Sequence, residues 1–463
     1  MKLKNLFAYD RELASYVEED GSRITLGKLA TPLFLELALR SMMNTVNTLI
    51  LARYTETAAG AIGTATTLLN FLMMLFSMIS TGVTVIIVQN LGAGNRRRAG
   101  EAATLSVVFC SVMSLLLGVT LSFFAPQLMG MMNLQGQQLT EAVEYFGIVC
   151  RFNVISSMIT VLAAIARSYG KTRINFIIAL LMNGFNALFC AIVVFRPFET
   201  PLYGISGVAT ARVLAECAAL IVNVLFIRRI HVGFTAQAIL KPDFKLIGQI
   251  FRFGLPSGVG TFSYSISSIV TTALVGALGT MAITTKTYVS TVAFYSTMLG
   301  NSIGQATSIL IGRYVGRGDM DKAFKLGLQS MKVGVLCNVC FAGLMLALTG
   351  PLFRLFFNAS DEIVRLAYSI MAIDILVEAG RAMNNVEDNA LRASGDVIFQ
   401  AGVAMSGCWL FSVLFSFIFI KMGMGLYGVW IAFAMDECGR ALIYLTRWLS
   451  KKWTTKRIIR DAA

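Results

Sequence analysis

The sequence predicts an all-α membrane protein with twelve transmembrane helices in two homologous six-helix halves. Three observations carry that reading. Of 463 residues, 56% are hydrophobic and 14% charged, with a mean hydropathy of +0.71, whereas about a quarter of a soluble chain is charged. Apolar runs of membrane-spanning length, about 20 residues, follow one another along the chain. Pairs of residues also recur at a nearly constant spacing across its midpoint.

The runs predict helices over 29–52, 60–92, 102–125, 140–166, 173–195, 205–227, 247–276, 282–313, 323–350, 362–391, 397–420 and 426–448. Forty glycines and 23 methionines suit helices packed closely in lipid. Residues 1–28 are charged and read as a cytoplasmic N-terminal segment, with no signal peptide expected. An N-lobe at 29–227 holds helices 1–6, a polar cytoplasmic linker occupies 228–246, and a C-lobe at 247–448 holds helices 7–12. A basic cytoplasmic tail fills 449–463.

A net charge of +14 does not point to nucleic acid, because the cations sit in short loops and at the chain ends. One side holds Arg96, Arg97, Arg98, Arg167, Lys171, Arg173, Arg228, Arg229, Lys241, Lys245, Arg317, Lys322, Lys325 and the tail. The other has little beyond Arg53, Arg196, Arg354 and Lys421. Even span number and this bias place both termini in the cytoplasm of a multi-pass cell-membrane protein. His231, the only histidine, falls in the linker and is no intramembrane proton relay. Cys337 and Cys340 form a CxxC inside a predicted span with no second pair, so no metal site is expected.

The repeat is specific. Pro32 pairs with Pro256, Gly92 with Gly316 and Gly94 with Gly318, all 224 apart. Asn95 and Asp319 then match by type. Arg167 and Gly170 pair with Arg392 and Gly395 at 225, and Glu216 with Glu437 at 221. Two homologous halves are the mark of an alternating-access transporter.

The stretch from Ile363 to Gly395 carries charge in its middle. On a helix, Asp374, Glu378, Arg381, Asn385, Asp388 and Arg392 fall within about 40° of one line. Each charge costs roughly 2.5–3.5 kcal/mol in lipid unless it faces protein, water or a partner. This helix is therefore expected to line a wet or paired surface.

At several of these places the chain resembles the multidrug and toxic compound extrusion (MATE) family of the drug/oligosaccharidyl-lipid/polysaccharide exporter superfamily. Thr31-Pro32 with Glu36, followed by Thr45 to Thr48, resembles its first-helix motif. Gln89 to Asn95 resembles its second-helix exit and Ala390 to Asp396 its tenth-helix exit. Glu437, Arg440, Trp448 and Trp453 resemble its last helix. The resemblance covers nearly the whole chain. It implies two six-helix lobes around a V-shaped central cavity. It also implies export of amphipathic small molecules or drugs in exchange for H⁺ or Na⁺, with no cofactor. The chain departs from the family at Asn47, where many members carry an aspartate, and at Asn186-Ala-Leu-Phe-Cys190, where the fifth helix often reads Asn-x-x-x-Asp. Amide oxygens there offer no charge, which puts an N-lobe ion site in doubt.

Coupling to protons needs an intramembrane carboxylate that titrates. Glu378 is the first candidate, the other reading being a structural pair with Arg381. Glu36 is second, against a plain ion pair with Arg40 four residues on. Asp374 flanks the same surface. Asp388 and Arg392 read as interfacial structure or gating. Glu216 with Arg212 and Glu437 with Arg440 read as one structural pair per half, near the cytoplasmic face. At a spacing of 225, Asn153 corresponds to Glu378, so acidic work falls to the C-lobe. Arg151 either meets an anionic substrate group or pairs with Glu36.

The resulting expectation is a monomeric antiporter for amphipathic, cationic molecules, driven by H⁺ before Na⁺ and embedded in membrane lipid. A lipid-linked oligosaccharide flippase is the alternative, and would want a strongly basic cavity to hold diphosphate. Arg40, Arg151 and Arg381 leave that open, while Glu36, Asp374 and Glu378 offset them. No HExxH, GxSxG or Asp-rich motif points to an enzyme.

Overall fold

Equivalent turns close equivalent helices in the two halves of the chain. Gly94 (φ 74°) and Gly318 (φ 85°) both occupy the left-handed region, which costs glycine no Cβ clash. The next residue caps the following helix in each case. Asn95 accepts from the amide of Arg98 at 3.1 Å, and Asp319 from that of Lys322 at 3.3 Å. Gly170 (φ 72°) and Gly395 (φ 97°) occupy the same left-handed region. These turns are the recurring residues of the sequence, seen as backbone.

The computed structural model describes residues 10–18, 21–52, 56–132, 134–195, 204–456 and 458, with 44–52 and 56–59 as backbone alone. Arg53, Arg196, Arg457 and Arg460, and the side chain of Asn47, lie outside the described residues.

A short hairpin, β1 Ser15–Val17 with β2 Arg23–Thr25, precedes α1 Leu26–Ala52. Then follow α2 Glu56–Gly92, α3 Arg96–Phe123, α4 Ala125–Gly130, α5 Gly136–Arg151, α6 Asn153–Ser168, α7 Thr172–Phe195 and α8 Gly204–Ile230. The chain continues with α9 Ala236–Leu240, α10 Phe244–Gly276, α11 Thr280–Arg317, α12 Met320–Phe357, α13 Asp361–Ser394 and α14 Val397–Gly407. A π-helical stretch at Cys408–Leu414, α15 Phe415–Lys421, α16 Gly425–Leu449 and a 3₁₀ turn at Lys452–Lys456 complete it. Each of the twelve predicted runs falls on a helix, two of them interrupted. Among the described residues, seven helices are long and apolar enough to cross a membrane, eight if the bent α5–α6 pair is one span. The remaining four, α1, α11, α13 and α16, hold charged and hydroxyl side chains that lower their hydropathy.

The run over 140–166 was expected as one helix. It breaks at Phe152, and α5 and α6 meet at 53°. Neither proline nor glycine sits at the break. The Ser122 hydroxyl instead donates to the Gly147 carbonyl at 3.1 Å and accepts from Arg151 Nε at 3.0 Å. A side chain inserted into the helical ladder is a recognised cause of kinks. The π-helical stretch was likewise illegible in sequence.

The chain divides into two compact units. One comprises 1–34, 88–94 and 256–463, the other 35–87 and 95–255. In the first, α13 is the central helix and packs on α11, α12 and α16. Its ends follow local chemistry. Ser360 caps its start, Asp361 and Glu362 fill the first turn, Arg392 the last, and Gly395 closes it in the left-handed region. One apolar cluster of this unit runs from Tyr16 and Leu29 through Ile309 and Leu310 to Leu391, Trp448 and Trp453. The N-terminal hairpin and the C-terminal turn therefore share a core. In the second unit, α7 packs on α8 and α6 on both α3 and α8.

Candidate functional site

The site is built where α13 and α16 come close. Gly380 makes the approach possible: a Cβ there would lie 2.8 Å from the backbone of Glu437 and Cys438. Small residues at such crossings let membrane helices touch along their backbones. The contact sets Glu437 beside Arg381, the residue after the glycine.

Arg381 then bridges two carboxylates. Its Nη1 pairs with Glu378 Oε1, and its Nε donates to Glu437 Oε1 at 3.2 Å. The Nη1 also donates to Thr297 on α11 at 3.1 Å. Glu378 has no solvent exposure, and its second oxygen accepts from Asn338 Nδ2 of α12 at 3.1 Å. Glu437 Oε2 accepts from Asn384 at 2.7 Å and faces Arg440 at 3.1 Å. Arg440 grips Asp436 with both ends of its fork, at 2.7 and 2.9 Å. The result is a chain of alternating charge, Glu378–Arg381–Glu437–Arg440–Asp436, with amide and hydroxyl donors on its flanks. Three carboxylates share two guanidinium groups.

Asp374 belongs to another contact. Its Oδ1 accepts from Trp430 Nε1 at 3.0 Å, and its Oδ2 has no hydrogen-bond partner among the described residues. Asp388 pairs with Arg392. The polar stripe of α13 is thus distributed among separate partners on neighbouring helices.

Two expectations are corrected. Glu437 and Glu216 were expected in structural pairs near the cytoplasmic face. Glu437 does pair with Arg440 and Glu216 with Arg212. Both acids, however, lie midway along their helices, and Glu437 also joins the Glu378 network through Arg381. Arg151 does not pair with Glu36. It is exposed at the α5–α6 break and donates to Ser122. Glu36 instead meets Arg40 at 3.2 Å and Arg167, on α6, at 3.7 Å. A helix break turns Arg151 aside, and sequence spacing alone did not show it.

The other unit carries a quieter version of the same contact. Glu216 accepts from Arg212 at 3.1 Å and is hydrogen-bonded by the Ser156 hydroxyl. Ser156 and Arg381 stand 225 apart, the spacing that relates α6 to α13, so the same helix-to-helix contact recurs with a hydroxyl for a guanidinium. Asn153, opposite number of Glu378, is buried, and its Nδ2 has no partner among the described residues. Asn186 uses its carbonyl to accept from Cys190 at 3.1 Å. Asp436, Asn338, Thr297 and Asn384 were missed in sequence. Asp436 had a visible signal, since it precedes Arg440 by four residues in an apolar run.

Ionisable groups inside a helical membrane bundle, held by one another across helices, mark ion and substrate pathways. Together with the repeat they define a multi-helix membrane transporter. The MatE family model matches residues 32–192 and again 256–418, starting in each half at the recurring proline. The chain belongs to this family, the MATE transporters. It is 31% identical over 434 residues to the uncharacterised transporter YisQ of Bacillus subtilis, covering 93% of this chain and 95% of that one. It is 24% identical to the probable multidrug resistance protein NorM of Thermotoga maritima, covering 94% of each. The same fold appears in a solved outward-facing structure of a multidrug resistance MATE transporter. That match has a TM-score of 0.84 at 17% identity, over 92% of this chain and 95% of that one.

Proposed function

We propose that the protein is a secondary antiporter that exports amphipathic, cationic small molecules in exchange for protons, with both termini in the cytoplasm. The observation that carries this reading is the position of Glu378. It is buried, it shares Arg381 with Glu437, and it is the end member of a charge chain with one carboxylate in excess. A proton on Glu378 weakens its pair with Arg381. Arg381 keeps Glu437, so the guanidinium has somewhere to go and the bundle is not left with a stranded charge. A proton and a cationic substrate then compete for the same excess negative charge, which is what exchange requires. The relatives named as multidrug resistance proteins support the substrate class.

The test is proton-driven uptake of a fluorescent cationic dye into inverted vesicles, with and without Na⁺, for the parent and Glu378→Gln. Uptake driven by a pH gradient alone, lost in a folded Glu378→Gln protein, is the expected result. Normal uptake by the variant makes Glu378 structural and moves the search to Glu36. No dye movement under either ion favours the lipid-linked oligosaccharide reading.

A further inference from the structure

The linker between α8 and α10 is more ordered than a tether requires. The Val232 carbonyl accepts from the Tyr169 hydroxyl at 2.9 Å. The Thr235 amide donates to Thr104 on α3 at 3.1 Å. Gly100 of α3 lies against the Gly233 and Val232 carbonyls with no room for a side chain. Val232 and Ala238 are buried. Asp243 caps α10 by accepting from the amides of Lys245 and Leu246, and also faces Arg98 at 3.4 Å.

This pinned segment turns its large apolar side chains outward. Phe234, Ile239, Leu240 and Phe244 are 45%, 52%, 81% and 76% exposed. Arg228, Arg229, Lys241 and Lys245 are exposed among them. The only acid in the stretch, Asp243, is already engaged. Both flanking helices are long and apolar enough to cross a membrane, so the linker is tied at each end to a membrane-spanning segment.

We propose that residues 228–245 form an interfacial anchor for anionic lipid. Phe234, Ile239, Leu240 and Phe244 enter the headgroup–acyl boundary, and the four cations hold anionic headgroups. Apolar side chains with interleaved cations on a fixed loop are what such a surface binds. The charge argues for lipid over a second copy of this chain, whose own linker would present the same four cations.

The test places a tryptophan at Leu240, an exposed position where the larger ring fits without repacking. Leu240→Trp and the parent are compared in nanodiscs of phosphatidylcholine with or without phosphatidylglycerol, each with chain-brominated lipid. The expected result is that brominated chains quench the added emission. The quenching is at least twofold stronger with phosphatidylglycerol, and that increment is lost when Arg228, Arg229, Lys241 and Lys245 are all changed to Gln. Equal quenching in neutral and anionic discs overturns the anionic part. Emission that is shielded from iodide yet untouched by brominated lipid overturns the proposal in favour of a protein partner. Emission open to iodide and untouched by bromine overturns it in favour of water.

Discussion

Gln89 and Arg313 stand 224 residues apart, at equivalent places in the two halves, and each holds one end of the chain. Gln89 is fully buried. It donates to the Ala393 carbonyl at 2.7 Å and accepts from the Ile458 amide of the tail at 3.0 Å. Arg313, also buried, faces Glu18 of the N-terminal hairpin at 2.9 Å. Their helices cross with reciprocal glycines. Gly92 rests on the backbone of Arg313, and Gly316 on that of Gln89.

That crossing has no spare volume. A Cβ on Gly92 would lie 2.8 Å from the Arg313 Cα, and one on Gly316 would lie 2.9 Å from the Gln89 Cα. Gly92→Ala and Gly316→Ala are each expected to cost about 1–3 kcal/mol through overpacking. Gly343→Ala, where an added methyl meets nothing within 4 Å, is expected to be neutral or to gain up to about 1 kcal/mol from helix propensity. Thermal unfolding in detergent reads all three. Equal midpoints across the set would mean that the crossing yields freely.

Arg381 and Glu378 do not contribute symmetrically to their pair. Arg381→Met leaves two buried carboxylates without their shared cation, and is expected to cost about 3–5 kcal/mol. Glu378→Gln leaves Arg381 on Glu437 and keeps an acceptor for Asn338, and is expected to cost about 1–3 kcal/mol. The double variant should be more stable than the sum of the singles predicts, because the second change removes a group that the first had stranded. Additive losses would show that the pair does not interact.

Trp430→Phe removes the donor to Asp374 Oδ1 together with part of a buried ring, and Asp374→Asn in the same background separates the two. A carboxylate whose other oxygen already lacks a partner is then left poorer still, and a loss of about 1–3 kcal/mol is expected. Asp374→Asn in the Trp430→Phe background should recover part of it by removing the charge. If Trp430→Phe unfolds at the parent's midpoint, the indole bond carries no stability.

The long apolar runs and the repeat were legible because each is written in local composition or in spacing along the chain. Glu36–Arg40 and Arg212–Glu216 were legible for the same reason, being four residues apart. What crosses between helices was not. Arg381–Glu437 depends on Gly380 bringing α16 close, and Arg167–Glu36 joins residues 131 positions apart. The hairpin before α1 gave no signal, since its two strands are three residues each. The break at Phe152 hinges on one serine of another helix.

Glu387 sets function against stability most directly. It is buried on α13, nine residues beyond Glu378 and therefore on the opposite side of the helix. Neither carboxyl oxygen has a hydrogen-bond partner among the described residues. A buried polar group in that condition costs about 1–3 kcal/mol. Glu387→Met keeps the length and removes the polar atoms, so it is expected to raise stability by about that amount, read as a higher unfolding midpoint. Native proteins keep such a group where activity needs it. A more stable Glu387→Met protein that transports dye poorly would therefore assign the carboxyl a working role. A more stable protein that transports normally would make it a tolerated defect. A destabilised one would mean that the carboxyl is satisfied by bound water.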